Sequence, residues 1–334
     1  MQTATVETLN DREAWLKLRS TGIGSSDAPV ILGLSKWKSP LSLYYEKLGL
    51  REPSKGEIEY VEWGLALEPA IIQGYQRVTH RATGRPTDVF GIHTNVPTRY
   101  TVARDAELPY LIATPDAAVL PIDKLSPVTE AGAEVAEPPV FYAPGVLEVK
   151  NVDVSKGRDW EATQEPPIEY TVQVQHQLMV TGAAWGSIAA LVGGNRFMWA
   201  DIPRDEELIA MLRKLEVEFW ERVLTQNPPP VDGSESTKAL FARLYPRDTG
   251  EVKELPIEAL EWDKERIEAD LAIKEWKLRK DTAENKLRNA LADATVGVLP
   301  GGLSYSLKYQ KRRAHQVAES EYRVLRRHGG KGDE

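Results

Sequence analysis

The chain has 334 residues, 42% of them hydrophobic, with 42 Lys or Arg against 50 Asp or Glu and a net charge of −8 at pH 7. Such a length supports one large core and a smaller unit, and the negative balance confines any nucleic-acid surface to a local patch. The chain has no cysteine, which excludes disulfides, thiolate nucleophiles, zinc–cysteine sites and iron–sulfur clusters.

The N-terminus has no charged region followed by an apolar run, and the sequence has no stretch of about 18 consecutive apolar residues. We therefore expect a soluble, cytoplasmic protein with no membrane association. A reducing compartment agrees with the lack of cysteine.

The first predicted helix precedes a glycine-rich turn. The capping pattern Asn10–Glu13 predicts a helix that ends near Arg19, and Ser25 and Ser26 follow in the turn, before a short apolar helix from Pro29 to Leu32. Free N–H groups at the start of that short helix, with Arg19 as the counter-charge, would suit a phosphate. The commoner role for serines in this position is helix capping alone.

An isolated acid lies in the next apolar helix. The segment from Glu62 to Ile72 is predicted to be helical and mostly buried, with Glu68 in an apolar run and Pro69 either bending the helix or beginning another. A carboxylate among buried apolar residues needs a partner or a metal. Equally, Glu68 could favour the positive end of a helix that starts at Pro69.

Short apolar segments between residues 89 and 119 predict antiparallel strands, and Val146–Lys150 predicts another strand. Because side chains alternate along a strand, Glu148 and Lys150 would lie side by side on one face. Asp116 on a neighbouring strand would add a second carboxylate.

Two carboxylates so close repel each other unless a divalent cation lies between them. Mg²⁺ fits better than zinc, because there is no cysteine and the histidines have no ligand spacing. The alternative is an ordinary surface ion pair on an edge strand.

The segment from Ile168 to Gly182 predicts a helix on which Gln173 and Gln177 share a face. Glutamines repeated on a buried helix indicate an amide aimed into a polar site. His176 could act as a general base, although a lone histidine of this kind is more often packed. Before this helix, residues 121–139 predict a long exposed loop.

The last third of the chain differs from the rest in composition. Prolines at 228–230 predict the end of a first domain, residues 1–232, and a linker at 233–255 leads to a C-terminal region, residues 256–334. That region predicts a long helix over residues 256–294, a β-hairpin and a basic tail. The tyrosines and basic residues of the hairpin, up to Arg313, could follow a nucleic-acid backbone, or their charges could simply protect a solvated edge.

Six motifs together resemble the YqaJ-like viral recombinases, relatives of bacteriophage lambda exonuclease among the PD-(D/E)XK nucleases. In chain order they are Arg19, Gly22–Ala28, Trp63–Pro69, Thr114–Asp116, Leu147–Lys150 and Tyr170–Gln175. The resemblance covers about Asp11 to Pro230 and does not extend past Pro256. It implies an α+β fold, a PD-(D/E)XK core with a central mixed sheet flanked by helices, extended here by the long helix and hairpin.

The resemblance also implies a metal site. Asp116, Glu148 and the backbone carbonyl of Val149 would hold Mg²⁺, for which Mn²⁺ is expected to substitute. Glu68 would complete the site directly or through water. Lys150 would orient and help deprotonate the attacking water, whose acidity the metal raises.

The remaining family positions concern the substrate. Gln173 would help to hold the helix and the substrate at the site. Arg19, Ser26 and Thr114 match positions of a pocket for a terminal 5′-phosphate, and either Ser25 or Ser26 could make the serine contact. Thr114 replaces a serine of the lambda enzyme and keeps its hydroxyl.

We therefore expect a Mg²⁺-dependent 5′-to-3′ exonuclease that degrades one strand of double-stranded DNA to mononucleotides and leaves a 3′ single strand for recombination and repair. By resemblance, its partners would be DNA ends, a single-strand annealing protein and, in a ring-shaped trimer, its own copies. It would be encoded by a phage or prophage and act in the bacterial cytoplasm. The alternatives are an endonuclease of the same superfamily, or a DNA-binding scaffold with an inactive nuclease fold.

Overall fold

The computed structural model describes residues 5–8, 12–50, 55–84, 101–120 and 144–311. The chain forms two compact units, residues 1–244 and 245–334. The helices of the first unit are α1 (Arg12–Ser20), α2 (Ala28–Ile31), α3 (Pro40–Lys47), α4 (Lys55–Thr79), α5 (Val154–Thr163), α6 (Ile168–Thr181), α7 (Glu206–Leu224) and α8 (Glu235–Leu244).

The strands of the first unit form two sheets. They are β1 (Thr5–Thr8), β2 (Ile23–Gly24), β3 (Thr83–Gly84), β4 (Thr101–Arg104), β5 (Leu111–Ala113), β6 (Ala117–Val119), β7 (Gly145–Val152), β8 (Trp185–Val192) and β9 (Arg196–Pro203). The larger sheet has the order β3-β6-β7-β8-β9, and the smaller one has the order β1-β4-β5-β2.

The larger sheet is mixed because its two central strands run in the same direction. Strands β7 and β8 are parallel, whereas β6 pairs with β7 and β9 pairs with β8 in antiparallel fashion. Helices α5 and α6 make the crossover that two parallel strands require. The expected fold class, a central mixed sheet flanked by helices, is confirmed.

Both faces of the central strands are covered, which explains their almost continuous apolar sequence. On one face, Val146 and Ile188 belong to the same apolar cluster as Val174 of α6. On the other face, Leu147 packs in a cluster with Ile71 of α4. Alternation along β7 therefore directs Glu148 and Lys150 towards α6.

Several predicted elements differ in detail from the structure. Helix α4 continues through Pro69 without a break. The polar segment around Trp160 forms α5, in which this tryptophan is packed in the core. Asp27 precedes α2, so neither Ser25 nor Ser26 is its N-cap residue. The predicted loop at 121–139 lies outside the described residues.

The first unit extends past the expected boundary at residue 232. Helix α8 falls in the predicted linker and packs against α3, with Thr237 and Leu240 buried. The hydroxyls of Ser39 and Thr237 are 2.8 Å apart, as are those of Ser42 and Ser236. These contacts make residues 235–244 part of the first unit rather than a free linker.

The second unit contains the long helix and hairpin that the sequence predicts. Helix α9 (Ala259–Leu291) has 33 residues, which is roughly 50 Å at ~1.5 Å per residue. Strands β10 (Val296–Val298) and β11 (Ser304–Ser306) pair in antiparallel fashion. Arg312 and Arg313 of the basic tail lie outside the described residues. Across the described parts of both units, we find no helix with the length and apolarity to cross a membrane.

Candidate active site

Asp116 lies against the middle of β7. It comes one residue before β6, in which Ala117 is paired with Leu147 of β7. The Asp116 N–H donates to the Leu147 carbonyl at 3.1 Å, and the Val149 N–H donates to Asp116 Oδ2 at 2.8 Å. Two hydrogen bonds thus fix the carboxylate beside the next residues of the strand.

Glu148 and Lys150 form an ion pair on the face of β7 that is directed towards α6. Glu148 is 4% exposed, and β7 lies between β6 and β8. The alternative of a surface ion pair on an edge strand is therefore wrong. A buried carboxylate is costly unless several partners satisfy it, and Glu148 has such partners.

Two glutamines of α6 supply the remaining contacts to Glu148. The Gln173 amide donates to Oε1 at 2.5 Å, and the Gln177 amide donates to Oε2 at 2.6 Å. They reach the same carboxylate because residues four apart share one face of a helix. The sequence indicated an amide in a polar site, but only Gln173 was assigned to it. Gln177 lies four residues later on the same helix face, and this spacing could have identified it.

Negative charge is concentrated at this point of the sheet. Burial, together with the nearby charges of Glu148 and Glu68, raises the pKa of Asp116 well above its usual value, although Lys150 opposes this. Burial works to lower the pKa of Lys150, but Glu148 and Asp116 outweigh it and raise that pKa. Three acids, Asp116, Glu148 and Glu68, thus interact electrostatically with one ammonium group, that of Lys150.

The oxygen donors at this point suit a hard divalent cation by their chemistry. Asp116 and Glu148 are adjacent, and within the described residues Asp116 Oδ1 makes no hydrogen bond. Among those residues, however, no three acidic or histidine side chains already form a metal-binding group. Glu68 contributes through its charge, and Glu148 is held by donors on both oxygens.

Two of the predicted phosphate-pocket residues meet directly. The guanidinium of Arg19 donates to Ser26 Oγ at 2.6 Å and lies over the Trp15 ring, 4.7 Å from its centroid. Ser25 is buried, and its hydroxyl is 3.5 Å from the amide nitrogen of Gln177. Thr114 lies between β5 and Asp116.

A buried ion pair holds this turn. Lys47 donates to Asp27 Oδ2 at 2.6 Å and to the Arg19 carbonyl at 2.9 Å, while the Gly24 N–H donates to the same Asp27 oxygen. Burial would raise the pKa of Asp27, but the charges of Lys47, Arg19 and Lys38 lower it to about 2. Helix α2 has only four residues, so the polar groups of the turn, rather than a helix dipole, define this surface.

His176 lies on α6 but not at the carboxylates. Its ring is fully buried, with Nδ1 2.8 Å from Glu216 and Nε2 2.9 Å from the Ile112 carbonyl. Burial opposes protonation, but Glu216 raises the pKa of His176. The interpretation of His176 as a packed residue is confirmed; it joins α6 to α7 and β5.

Two solved exonucleases are among the structures to which this chain is similar. An alkaline exonuclease from Laribacter hongkongensis is 20% identical with a TM-score of 0.45, over 70% of this chain and 99% of that one. A phage-related exonuclease from Haemophilus somnus 129PT is 12% identical with a TM-score of 0.37, over 61% of this chain and 96% of that one.

Sequence relationships are stronger. The YqaJ protein of Bacillus subtilis (strain 168) is 30% identical over 295 residues, which cover 86% of this chain and 81% of the relative. The YqaJ-like viral recombinase domain matches residues 14–184. That range includes both carboxylates, Lys150 and the predicted phosphate pocket. The chain belongs to the YqaJ-like viral recombinase family.

Proposed function

We propose that the protein is a Mg²⁺-dependent exonuclease that degrades the 5′-ended strand of double-stranded DNA. The observation that carries the proposal is the cluster at the centre of the sheet, in which Asp116, Glu148 and Lys150 converge under the electrostatic influence of Glu68. This combination suits the hydrolysis of a phosphodiester, in which an anionic centre gains further negative charge.

Asp116, Glu148 and the Val149 carbonyl would hold the cation, with Glu68 contributing directly or through water. Once bound, a divalent cation would lower the pKa of a water molecule and offset charge on the phosphate. Gln173 would keep the carboxylate of Glu148 in one orientation.

Lys150 would bind and orient the attacking water or a phosphate oxygen. Its raised pKa keeps it an ammonium beside the carboxylates of Glu148 and Asp116, so in that state it donates hydrogen bonds. Its pKa falls when the carboxylate charges are offset. A neutral amine, which could accept a proton from water, therefore depends on an occupied cation site.

The polarity of the reaction would follow from the turn that carries Arg19, Ser25 and Ser26, together with Thr114. A guanidinium and hydroxyls suit a terminal phosphate. The hydroxyl of Ser25 is within 3.5 Å of an amide that also contacts Glu148. A phosphate bound there would hold the end of the strand near the cation.

Family membership supports a role in recombination. We propose that the enzyme, in the cytoplasm of a bacterial host of a phage or prophage, leaves a 3′ single strand for an annealing protein. Assembly into a ring of identical chains would enclose the duplex.

Digestion of linear duplexes, with and without a 5′-phosphate, tests the proposal. In Mg²⁺ we expect the unmodified protein to release mononucleotides, with preference for phosphorylated ends. Lys150→Ala should reduce the rate by at least ~100-fold, in the range of a lost transition-state contact. Lys214→Ala is the matched control, since Lys214 is an exposed lysine of α7.

Equal activity of the two lysine variants would remove Lys150 from the mechanism. Closed circular plasmid separates the main alternative, because an endonuclease of the same superfamily would cut it and an exonuclease would not. Failure of the unmodified protein to cleave any duplex would leave a DNA-binding scaffold as the better proposal.

A further inference from the structure

Gln177 is the described side chain that contacts both the proposed cation site and the proposed phosphate pocket. Its amide nitrogen donates to Glu148 Oε2 at 2.6 Å and lies 3.5 Å from Ser25 Oγ. Gln177 is fully buried, and Ser25 and Glu148 are nearly so. Solvent therefore does not separate the three groups.

The orientation of this amide follows from charge. Glu148 accepts from Lys150 and from Gln173 on its other oxygen. A carboxylate so placed needs donors, so the amide nitrogen, and not the amide oxygen, must face it. The nitrogen carries two hydrogens, which allows it to serve a second acceptor at Ser25.

The contact between Gln177 and Ser25 is longer than an ordinary hydrogen bond. At 3.5 Å the contact with Ser25 is at the outer limit of a hydrogen bond. Gln177 Oε1 is buried without a hydrogen-bond partner among the described residues, which is a costly arrangement. A small shift of the turn towards α6 would shorten the first contact.

We propose that Gln177 is a positioning residue that couples the binding of a terminal 5′-phosphate to the orientation of Glu148. This inference rests on the proposed function. The Ser25 hydroxyl donates to the phosphate and its oxygen accepts from Gln177. The second hydrogen of the same amide holds Glu148 Oε2. Hydrogen bonds in such a chain strengthen one another.

A terminal 5′-phosphate should therefore affect the cation site as well as the affinity for DNA. Coupling between two sites is reciprocal and commonly changes an affinity by a factor of about 5 to 150. A 5′-phosphate should therefore favour the carboxylate orientation that receives the cation. Loss of the amide should lower the preference for phosphorylated ends more than it lowers activity on 5′-hydroxyl ends.

The test compares Gln177→Met with Gln175→Met. Both remove an amide from α6, but the Gln175 amide bonds the Pro203 carbonyl and the Asp205 N–H. The measured quantity is the ratio of kcat/KM for 5′-phosphorylated and 5′-hydroxyl duplexes. We expect Gln177→Met to reduce this ratio at least fivefold, and Gln175→Met to leave it unchanged. Circular dichroism checks that both variants are folded.

Two further measurements separate coupling from a general structural effect. In the Ser25→Ala background, Gln177→Met should change the ratio little more, because the effects of coupled residues are not additive. In EDTA, fluorescence anisotropy should show that the unmodified protein binds the phosphorylated duplex more tightly and that Gln177→Met loses most of this difference. If Gln177→Met does not fold, Gln177→Asn carries the same test, since its shorter amide cannot reach both partners.

The outcomes distinguish this inference from the proposed function. An unmodified protein that cleaves duplexes without regard to the 5′-phosphate would overturn the proposed pocket itself. If Ser25→Ala loses the preference while Gln177→Met keeps it, or if Gln177→Met slows both substrates equally, the coupling is overturned and the nuclease proposal stands.

Discussion

At the scale of single residues, the buried pair of Asp27 and Lys47 organises the turn next to the proposed site. The charge of Lys47 compensates a carboxylate that is 3% exposed, and its ammonium also bonds the Arg19 carbonyl. An unpaired charge in that position would be costly. The pair therefore links the position of Arg19 to the folding of the unit.

This pair predicts a pH dependence of stability. The pKa of Asp27 is about 2 in the folded protein, against an ordinary value of 3.8 for an aspartate side chain. The unfolded state therefore binds the proton more tightly. The stabilisation is full above about pH 4 and disappears as the pH falls through about 2. It amounts to about 2 kcal/mol.

Urea unfolding at several values between about pH 5 and pH 2.5 measures this effect. Asp27→Asn should be less stable than the unmodified protein at the upper end, and the difference between the two should shrink as the pH falls. A difference that is constant over this range would show that Asp27 is not the group responsible.

Some residue-scale features could be predicted because they depend only on local periodicity. Strand alternation put Glu148 beside Lys150, and helix spacing put Gln177 on the face of Gln173. Other features depend on residues distant in sequence. Ser25 was a candidate cap, but Asp27 holds the N-cap position of α2, and its carboxylate pairs with Lys47, twenty residues later.

At the scale of elements, close backbone approach decides the geometry of the glycine turn. Strand β2 is parallel to β5, and the Ile23 N–H donates to the Tyr110 carbonyl at 2.7 Å. A β-carbon on Gly22 would lie 2.4 Å from that carbonyl oxygen, whereas one on Gly24 would have only ordinary contacts at 3.7 Å or more. The two glycines therefore differ in their tolerance of a side chain.

We predict that Gly22→Ala destabilises the protein by about 1–3 kcal/mol, the range for steric overpacking, and that Gly24→Ala costs clearly less. Gly22→Ala should also weaken the preference for 5′-phosphorylated ends, since β2 must move with the turn that carries Ser25. Thermal unfolding and the two-substrate digestion assay measure these effects. Equal destabilisation by both substitutions would contradict the backbone explanation.

Elements with strong periodicity were predicted well, as α6 and α9 show. Helix α5 was missed because its sequence is polar and only Gly157 and Trp160 are buried. Strands β2 and β3 have two residues each, which is too short for any alternation. Their existence depends on the partners β5 and β6, and not on a local preference.

At the scale of the whole molecule, a change of composition indicated two units but not their boundary. The prolines before residue 232 resemble a domain end, yet the chain continues into α8, which returns to α3. Thr237 and Leu240 are too few to give α8 a clear apolar stripe, and the partner of the buried Thr237 hydroxyl is Ser39, nearly 200 residues earlier. Such long-range packing is not visible in a local window.

The last prediction concerns this boundary. A chain ending at Leu244 keeps the contacts between α3 and α8, whereas one ending at Asp232 loses the bonds of Ser39 and Ser42 to α8. We therefore expect the shorter chain to unfold at a lower temperature, by several degrees for a loss of about 1–2 kcal/mol. Calorimetry of the two truncated chains measures the difference.

The two truncation points, Asp232 and Leu244, lie far in sequence from the carboxylates and the glycine turn. If the first unit holds the complete nuclease site, the chain ending at Leu244 should still degrade linear duplexes and prefer 5′-phosphorylated ends. Ser236→Ala in this chain tests the interface without a change of length and should lower its melting temperature towards that of the shorter chain. Equal melting temperatures for the chains ending at Leu244 and Asp232 would mean that α8 adds no stability and that the unit ends where the prolines are.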